Sequence, residues 1–100
     1  MKPRTSISHD EAVIQELRDN PRFVVEYLRT ALEEESEPQV LLLALRRVVQ
    51  ARGIAKIAKT AGVERESLYR ALSKRGNPRL STLAAVTKAV GLRLTVEANR

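Results

Sequence analysis

The chain has 100 residues, no cysteine, three aromatic residues (Phe23, Tyr27 and Tyr69) and eighteen basic against twelve acidic side chains, for a formal net charge of +6. That length fits one compact domain, and the lack of cysteine excludes a disulfide scaffold, a zinc-thiolate site and a thiol nucleophile, consistent with a reducing cytoplasm. No apolar run approaches the roughly 20 residues that span a bilayer, and no apolar signal segment follows Met1-Lys2-Pro3-Arg4-Thr5-Ser6, so no membrane role is expected.

Ser8-His9-Asp10-Glu11 opens the first helix. Ser8 and Glu11 have capping-box spacing, in which each side chain satisfies a backbone N–H that the helix leaves unpaired. Val13, Ile14 and Leu17 form its apolar side, and Asn20-Pro21 ends it. The same pair starts the second helix, with Asn as N-cap and Pro at the first helical position. There Val24, Val25, Tyr27, Leu28, Ala31 and Leu32 recur at three- and four-residue spacing, which predicts one buried face. Glu33-Glu34-Glu35 closes it, against the helix macrodipole.

Ser36-Glu37-Pro38-Gln39 reads as a second capping box. The helix behind it holds Val40, Leu41, Leu42, Leu43, Ala44, Leu45, Val48 and Val49. Being apolar nearly all round in its first half, it is expected to be the central core helix. Arg46 and Arg47 read as solvated, and Gly53 as the stop. Three shorter helices are predicted at about 55–61, 65–73 and 80–90, punctuated by Gly62, Gly76-Asn77-Pro78 and Gly91. The tail Leu92-Arg93-Leu94-Thr95-Val96-Glu97 alternates apolar and polar residues, as a strand does. A lone strand is not stable in water, so the same strand of a second copy is its expected partner, with Leu92, Leu94 and Val96 on the paired face.

Charge divides along the chain. Residues 1–38 carry five basic and nine acidic groups, a net of −4, whereas 39–100 carry thirteen and three, a net of +10. A basic second half suggests a polyanionic partner such as nucleic acid.

Residues 54–73 match a helix-turn-helix position by position. Two helices crossing steeply need a small residue at their contact, and Ala58 stands there. The tight turn needs a residue tolerant of left-handed backbone, and Gly62 follows four residues later. Ile57, Ala61, Val63, Leu68 and either Ala71 or Leu72 supply the buried side. Arg65, Glu66, Tyr69 and Arg70 then fall on the exposed side of the second helix, where side chains reach base edges in the major groove. Glu66 and Arg70 also have i, i+4 spacing for a surface ion pair.

Residues Leu45 to Leu92 resemble a lambda-repressor-like (XRE-type) helix-turn-helix domain. The resemblance rests on the run from Gly62 to Leu72, on Gly76-Asn77-Pro78, on Thr82-Leu83 and on Ala89-Val90-Gly91-Leu92-Arg93-Leu94. With Tyr27-Leu28, Ala31-Leu32-Glu33 upstream, the chain from about Pro21 to Ala98 resembles the addiction-module antidotes, the HigA-like antitoxins. The resemblance implies an all-α fold of five to six helices, with an N-terminal helical extension and a short C-terminal strand for dimer pairing. It also implies that a small RelE/ParE-like toxin is bound and that a homodimer represses its own operon. Two features depart from the family pattern. Glu64 stands where Ser usually caps the recognition helix, and Ala55-Lys56 stand where Ser-Gln usually opens the scanning helix.

The expected organisation is an acidic helical extension over 1–37, a DNA-binding domain over 38–91 and a strand or tail over 92–100. Arg65, Tyr69, Arg70 and Glu66 are the candidates for base edges of double-stranded operator DNA. Lys56, Lys74, Arg75 and Arg79 are the candidates for phosphates. The acids between Glu11 and Glu37 either keep the first helices soluble and away from DNA or cover a small basic toxin. A phage-type regulator with no toxin partner would share the helix-turn-helix and the dimer. Catalysis is not expected. His9 is the only histidine, and no catalytic constellation, phosphate-binding glycine loop or metal-ligand spacing occurs, so no cofactor or metal is called for.

Overall fold

A computed structural model describes residues 8–34 and 37–99. Six helices follow one another: α1 (His9–Asp19), α2 (Pro21–Leu32), α3 (Pro38–Arg52), α4 (Ile54–Ala61), α5 (Arg65–Ala71) and α6 (Leu80–Ala89). The described residues are all-α, and no strand occurs among them.

The first two helices start where their caps direct. Ser8 Oγ accepts from the Glu11 N–H at 3.1 Å, and the Glu11 carboxylate accepts from the Ser8 N–H at 3.3 Å. Asn20 Oδ1 accepts from the Phe23 N–H at 3.3 Å, with Pro21 at the first helical position. α2 ends at Leu32, before the run of glutamates. The third start differs from the expected capping box. Ser36 lies outside the described residues, and the N-cap of α3 is Glu37, whose side chain makes no cap hydrogen bond. Pro38 explains the position, since its fixed φ and missing N–H suit the first helical residue, as Pro21 does in α2.

α3 is the central helix. α1 and α2 both pack on it, and α4 docks at its far end. Leu42, Ala44, Leu45, Val48, Val49 and Ala51 are buried from it. One apolar cluster runs from Leu17 of α1 through Val24 and Leu28 of α2 and the α3 residues to Leu68, Leu72, Val86 and Val90. Its fully buried large side chains are all leucine or valine, while Phe23 and Tyr27 sit half-buried at its edge.

α4 and α5 are joined by Gly62-Val63-Glu64. Gly62 takes left-handed backbone at φ 75° and ψ 30°, a conformation in which the Cβ of any other residue would crowd its own backbone carbonyl. Its N–H donates to the Lys59 carbonyl at 3.2 Å, and that of Val63 to the Ala58 carbonyl at 3.0 Å, closing the end of α4. Ile57, Ala58, Leu68 and Leu72 are buried, so Leu72 rather than Ala71 is the core residue at the end of α5. Ala61, Val63 and Ala71 are only partly covered.

α5 stops at Ala71, two residues short of expectation, because the following loop folds back on it. A Cβ on Gly76 would lie 2.0 Å from the Ala71 carbonyl oxygen, and the Gly76 N–H donates to the Ser73 carbonyl at 2.8 Å. The tail after α6 is tied by the Leu92 N–H, which donates to the Thr87 carbonyl at 2.9 Å. Residues 92–99 then run without regular structure. The expected strand is not formed within the single chain, where no neighbouring strand exists to complete a hydrogen-bonded ladder.

Candidate nucleic-acid interface

α5 holds four of the candidate residues. Positions 65, 66, 69 and 70 are spaced to share one face of a helix. Arg65, Glu66 and Arg70 are exposed on that face, and Tyr69 is half-buried. Leu68, on the opposite side, is 1% exposed and anchors the helix to the core. Lys56 is exposed on α4, and Lys74, Arg75 and Arg79 are exposed on the loop that leaves α5.

The N-terminus of α5 is weakly held. Glu64 is its N-cap, with extended backbone suited to a cap, yet its side chain makes no cap hydrogen bond. The expected Glu66–Arg70 ion pair is not formed. Arg70 turns instead toward Ser67, donating from a terminal guanidinium nitrogen to Ser67 Oγ at 3.4 Å. Glu66 has no ion-pair partner among the described residues, so its carboxylate stays available as an acceptor.

Two arginines of α3 behave unlike solvated surface groups. Arg46 lies over the Tyr69 ring, its guanidinium carbon 5.0 Å from the ring centroid. This is cation–π geometry, and it links the central helix to the exposed face of α5. Arg47 donates to the Tyr27 hydroxyl oxygen at 3.1 Å and to the Asp10 carboxylate, joining α3 to both α2 and α1. The Tyr27 hydrogen bond raises the Arg47 pKa above its ordinary value, against the lowering effect of burial and with Asp10 adding to the rise. The aromatic count carried the missing signal. Two of only three aromatic residues are tyrosines, and a half-buried tyrosine generally finds a polar partner. Arg46 and Arg47 stand on the helix that both tyrosines pack beside.

Two open grooves flank α2. One, of about 310 Å³, lies between α2 and the start of α3 and is lined by Phe23, Tyr27, Val40 and Leu43 among others. The other, of about 770 Å³, runs between α2, α3, α6 and the tail, with Leu28, Leu32, Leu41, Leu92 and Leu94 in its lining. Its charged rim is mixed, with Arg29 and Arg93 against Glu33 and Glu97. Leu92 is half-buried, whereas Leu94 and Val96 are 51% and 92% exposed. Among the described residues no helix is long and apolar enough to cross a membrane, and no group of acidic or histidine side chains is placed to hold a metal ion.

A model of the "probable addiction module antidote protein" family matches residues 9–98, which takes in all six helices. A protein of Haemophilus influenzae described as uncharacterized is 40% identical over 74 residues, covering 74% of this chain and 75% of that one. No solved structure matches. The chain belongs to the addiction module antidote family. That membership points to a non-enzymatic antitoxin with a toxin as its partner.

Proposed function

We propose that this chain is the antitoxin of a type II toxin–antitoxin module, binding a small RelE/ParE-like toxin and repressing its own operon as a cytoplasmic homodimer. In this reading α4 and α5 are a lambda-repressor-like (XRE-type) helix-turn-helix of the HigA-like kind. One observation carries the DNA reading: the Gly62 turn presents Arg65, Glu66, Tyr69 and Arg70 on one outward side of α5 while Leu68 and Leu72 hold its other side in the core. Arg65, Tyr69, Arg70 and Glu66 meet base edges, and Lys56, Lys74, Arg75 and Arg79 meet the phosphate backbone.

The division of labour follows the charge. Residues 1–37 form the acidic toxin-facing extension, 38–91 the DNA-binding unit and 92–100 the dimerisation tail. The mixed rim of the larger groove supports the dimer, because a two-fold interface must be complementary to itself and a rim bearing both signs can be. Leu92, Leu94 and Val96 supply the apolar contact, as paired strands, between copies.

The test is a titration of the protein against a duplex of its own promoter, run beside a growth assay in cells producing the toxin. Saturable, salt-sensitive binding to half-sites about one helical turn apart, together with growth rescue, is the expected result. Promoter binding without rescue identifies a phage-type regulator instead. Rescue without promoter binding removes the helix-turn-helix assignment.

A further inference from the structure

The smaller groove is apolar on its floor and acidic at its mouth. The Phe23 and Tyr27 rings, with centroids 5.7 Å apart and planes tilted by 34°, form one wall. Val40 and Leu43 of α3 form the other. Leu43 is 47% exposed, although the residues on either side of it, Leu42 and Ala44, are buried in the protein's own core. The chain thus spends an apolar side chain on this opening that its own fold leaves uncovered.

The charged groups at the mouth are Glu26, Glu34 and Arg47. Arg47 is committed to the Tyr27 hydroxyl and the Asp10 carboxylate. Glu26 reaches Arg29 at 4.0 Å, but both side chains are about two-thirds exposed, and such pairs contribute little. Glu34 has no ion-pair partner among the described residues. The opening therefore shows solvent a negative rim around an aromatic and aliphatic floor.

We propose that this groove seats a cationic amphipathic segment of a protein partner. One apolar side chain of that segment enters between Phe23, Tyr27 and Leu43, while lysines or arginines flanking it meet Glu26 and Glu34. The volume of about 310 Å³ lies at the low end of small-molecule pockets and suits one or two side chains rather than a whole ligand. A second copy of this chain is a poor occupant, because a two-fold contact would set this acidic rim against itself. The proposal deepens the antitoxin reading and rests on it only for the identity of the partner.

The probe is a synthetic peptide of leucine and lysine at helical spacing, titrated against the full-length protein by fluorescence anisotropy. Controls are a leucine–glutamate peptide and a lysine–glutamine peptide. The Leu/Lys peptide is expected to bind, to shift the Val40 and Leu43 methyl NMR signals, and to weaken as salt is raised. Leu43→Ser should weaken it about tenfold or more, a loss of ~1.4 kcal/mol. Glu26→Gln with Glu34→Gln should weaken it too and flatten its salt dependence. All three positions lie at the groove mouth rather than in the core, and a melting curve on each variant checks that it is folded; Leu43→Gln repeats the test with a better helix former.

Equal binding of all variants would reduce the interaction to general charge attraction and overturn the proposal. So would equal binding of the Leu/Glu peptide, or a wild-type dimer that Leu43→Ser dissociates. Growth rescue separates this claim from the one beneath it. If wild-type protein fails to rescue toxin-producing cells, the antitoxin reading falls and the peptide titration still decides the groove. If the groove variants rescue as well as wild type, the groove is not the toxin's seat and the antitoxin reading stands.

Discussion

Arg65 and Lys74 carry the same charge, yet their replacement by alanine should produce different defects. Arg65 stands on the outward face of α5, in the proposed base-reading set, so Arg65→Ala is expected to relax sequence preference at a cost of roughly 1–3 kcal/mol. Lys74 stands on the loop behind, so Lys74→Ala should weaken binding on all sequences alike and lower the salt slope by about one. Competition titrations at several salt concentrations distinguish the two, and an unchanged slope for Lys74→Ala would displace the loop from the phosphate backbone. Arg47 belongs to the fold instead. It bonds Tyr27 and Asp10 together, and Arg47→Met should cost about 1–3 kcal/mol in denaturant unfolding. The sign with pH is fixed by the raised pKa: the contribution is complete below the unfolded pKa and is lost only as pH climbs past the folded value. Stability owed to this arginine should therefore stay flat across the neutral range. The sequence made Arg46 and Arg47 look solvated because charge is local information, whereas the partners that occupy them lie on three other helices.

Among the elements, the starts and stops were legible wherever a residue satisfies the backbone by itself. Ser8 with Glu11, Asn20 with Pro21, and Gly62 each act within four residues of their own position. Reading failed where two local signals competed, as at α3, where Pro38 at the first helical position makes Glu37, one residue beyond Ser36, the N-cap. It failed again where the deciding contact was with another segment, since the loop through Gly76 ends α5 early. The tail alternates like a strand, but alternation says nothing about who supplies the ladder. α5 carries its own prediction. Its N-cap Glu64 makes no side-chain hydrogen bond, so Glu64→Ser should raise stability by about 0.5–1 kcal/mol in a thermal or chemical melt. No gain would mean that this end is already satisfied by solvent.

At the scale of the molecule, the two charge zones share one core. The apolar cluster is continuous from Leu17 in the acidic part to Val86 and Val90 in the basic part, with α3 touching α1, α2 and α4. The −4 and +10 were visible in composition, and so was the central place of α3. Which helices face one another across it was not, because periodicity identifies a buried face without naming its neighbour. The dimer is the molecular property most open to test. Ending the chain at Gly91 removes Leu92, Leu94 and Val96 together, and light scattering should then report monomers with much weaker promoter affinity. A persistent dimer would move the interface away from the tail.

Gly76 also has a consequence for inheritance. Its backbone sits so near the Ala71 carbonyl that no side chain fits between them. If the outward residues of α5 choose the operator, then lineages that change operators should diversify at 65, 66, 69 and 70, each an exposed or half-covered position that can vary without disturbing the core. Position 76 has no such latitude, whatever the promoter. Repertoire and scaffold are thus separated by only six residues of chain, and new specificities can arise by point mutation on a helix whose exit is held constant.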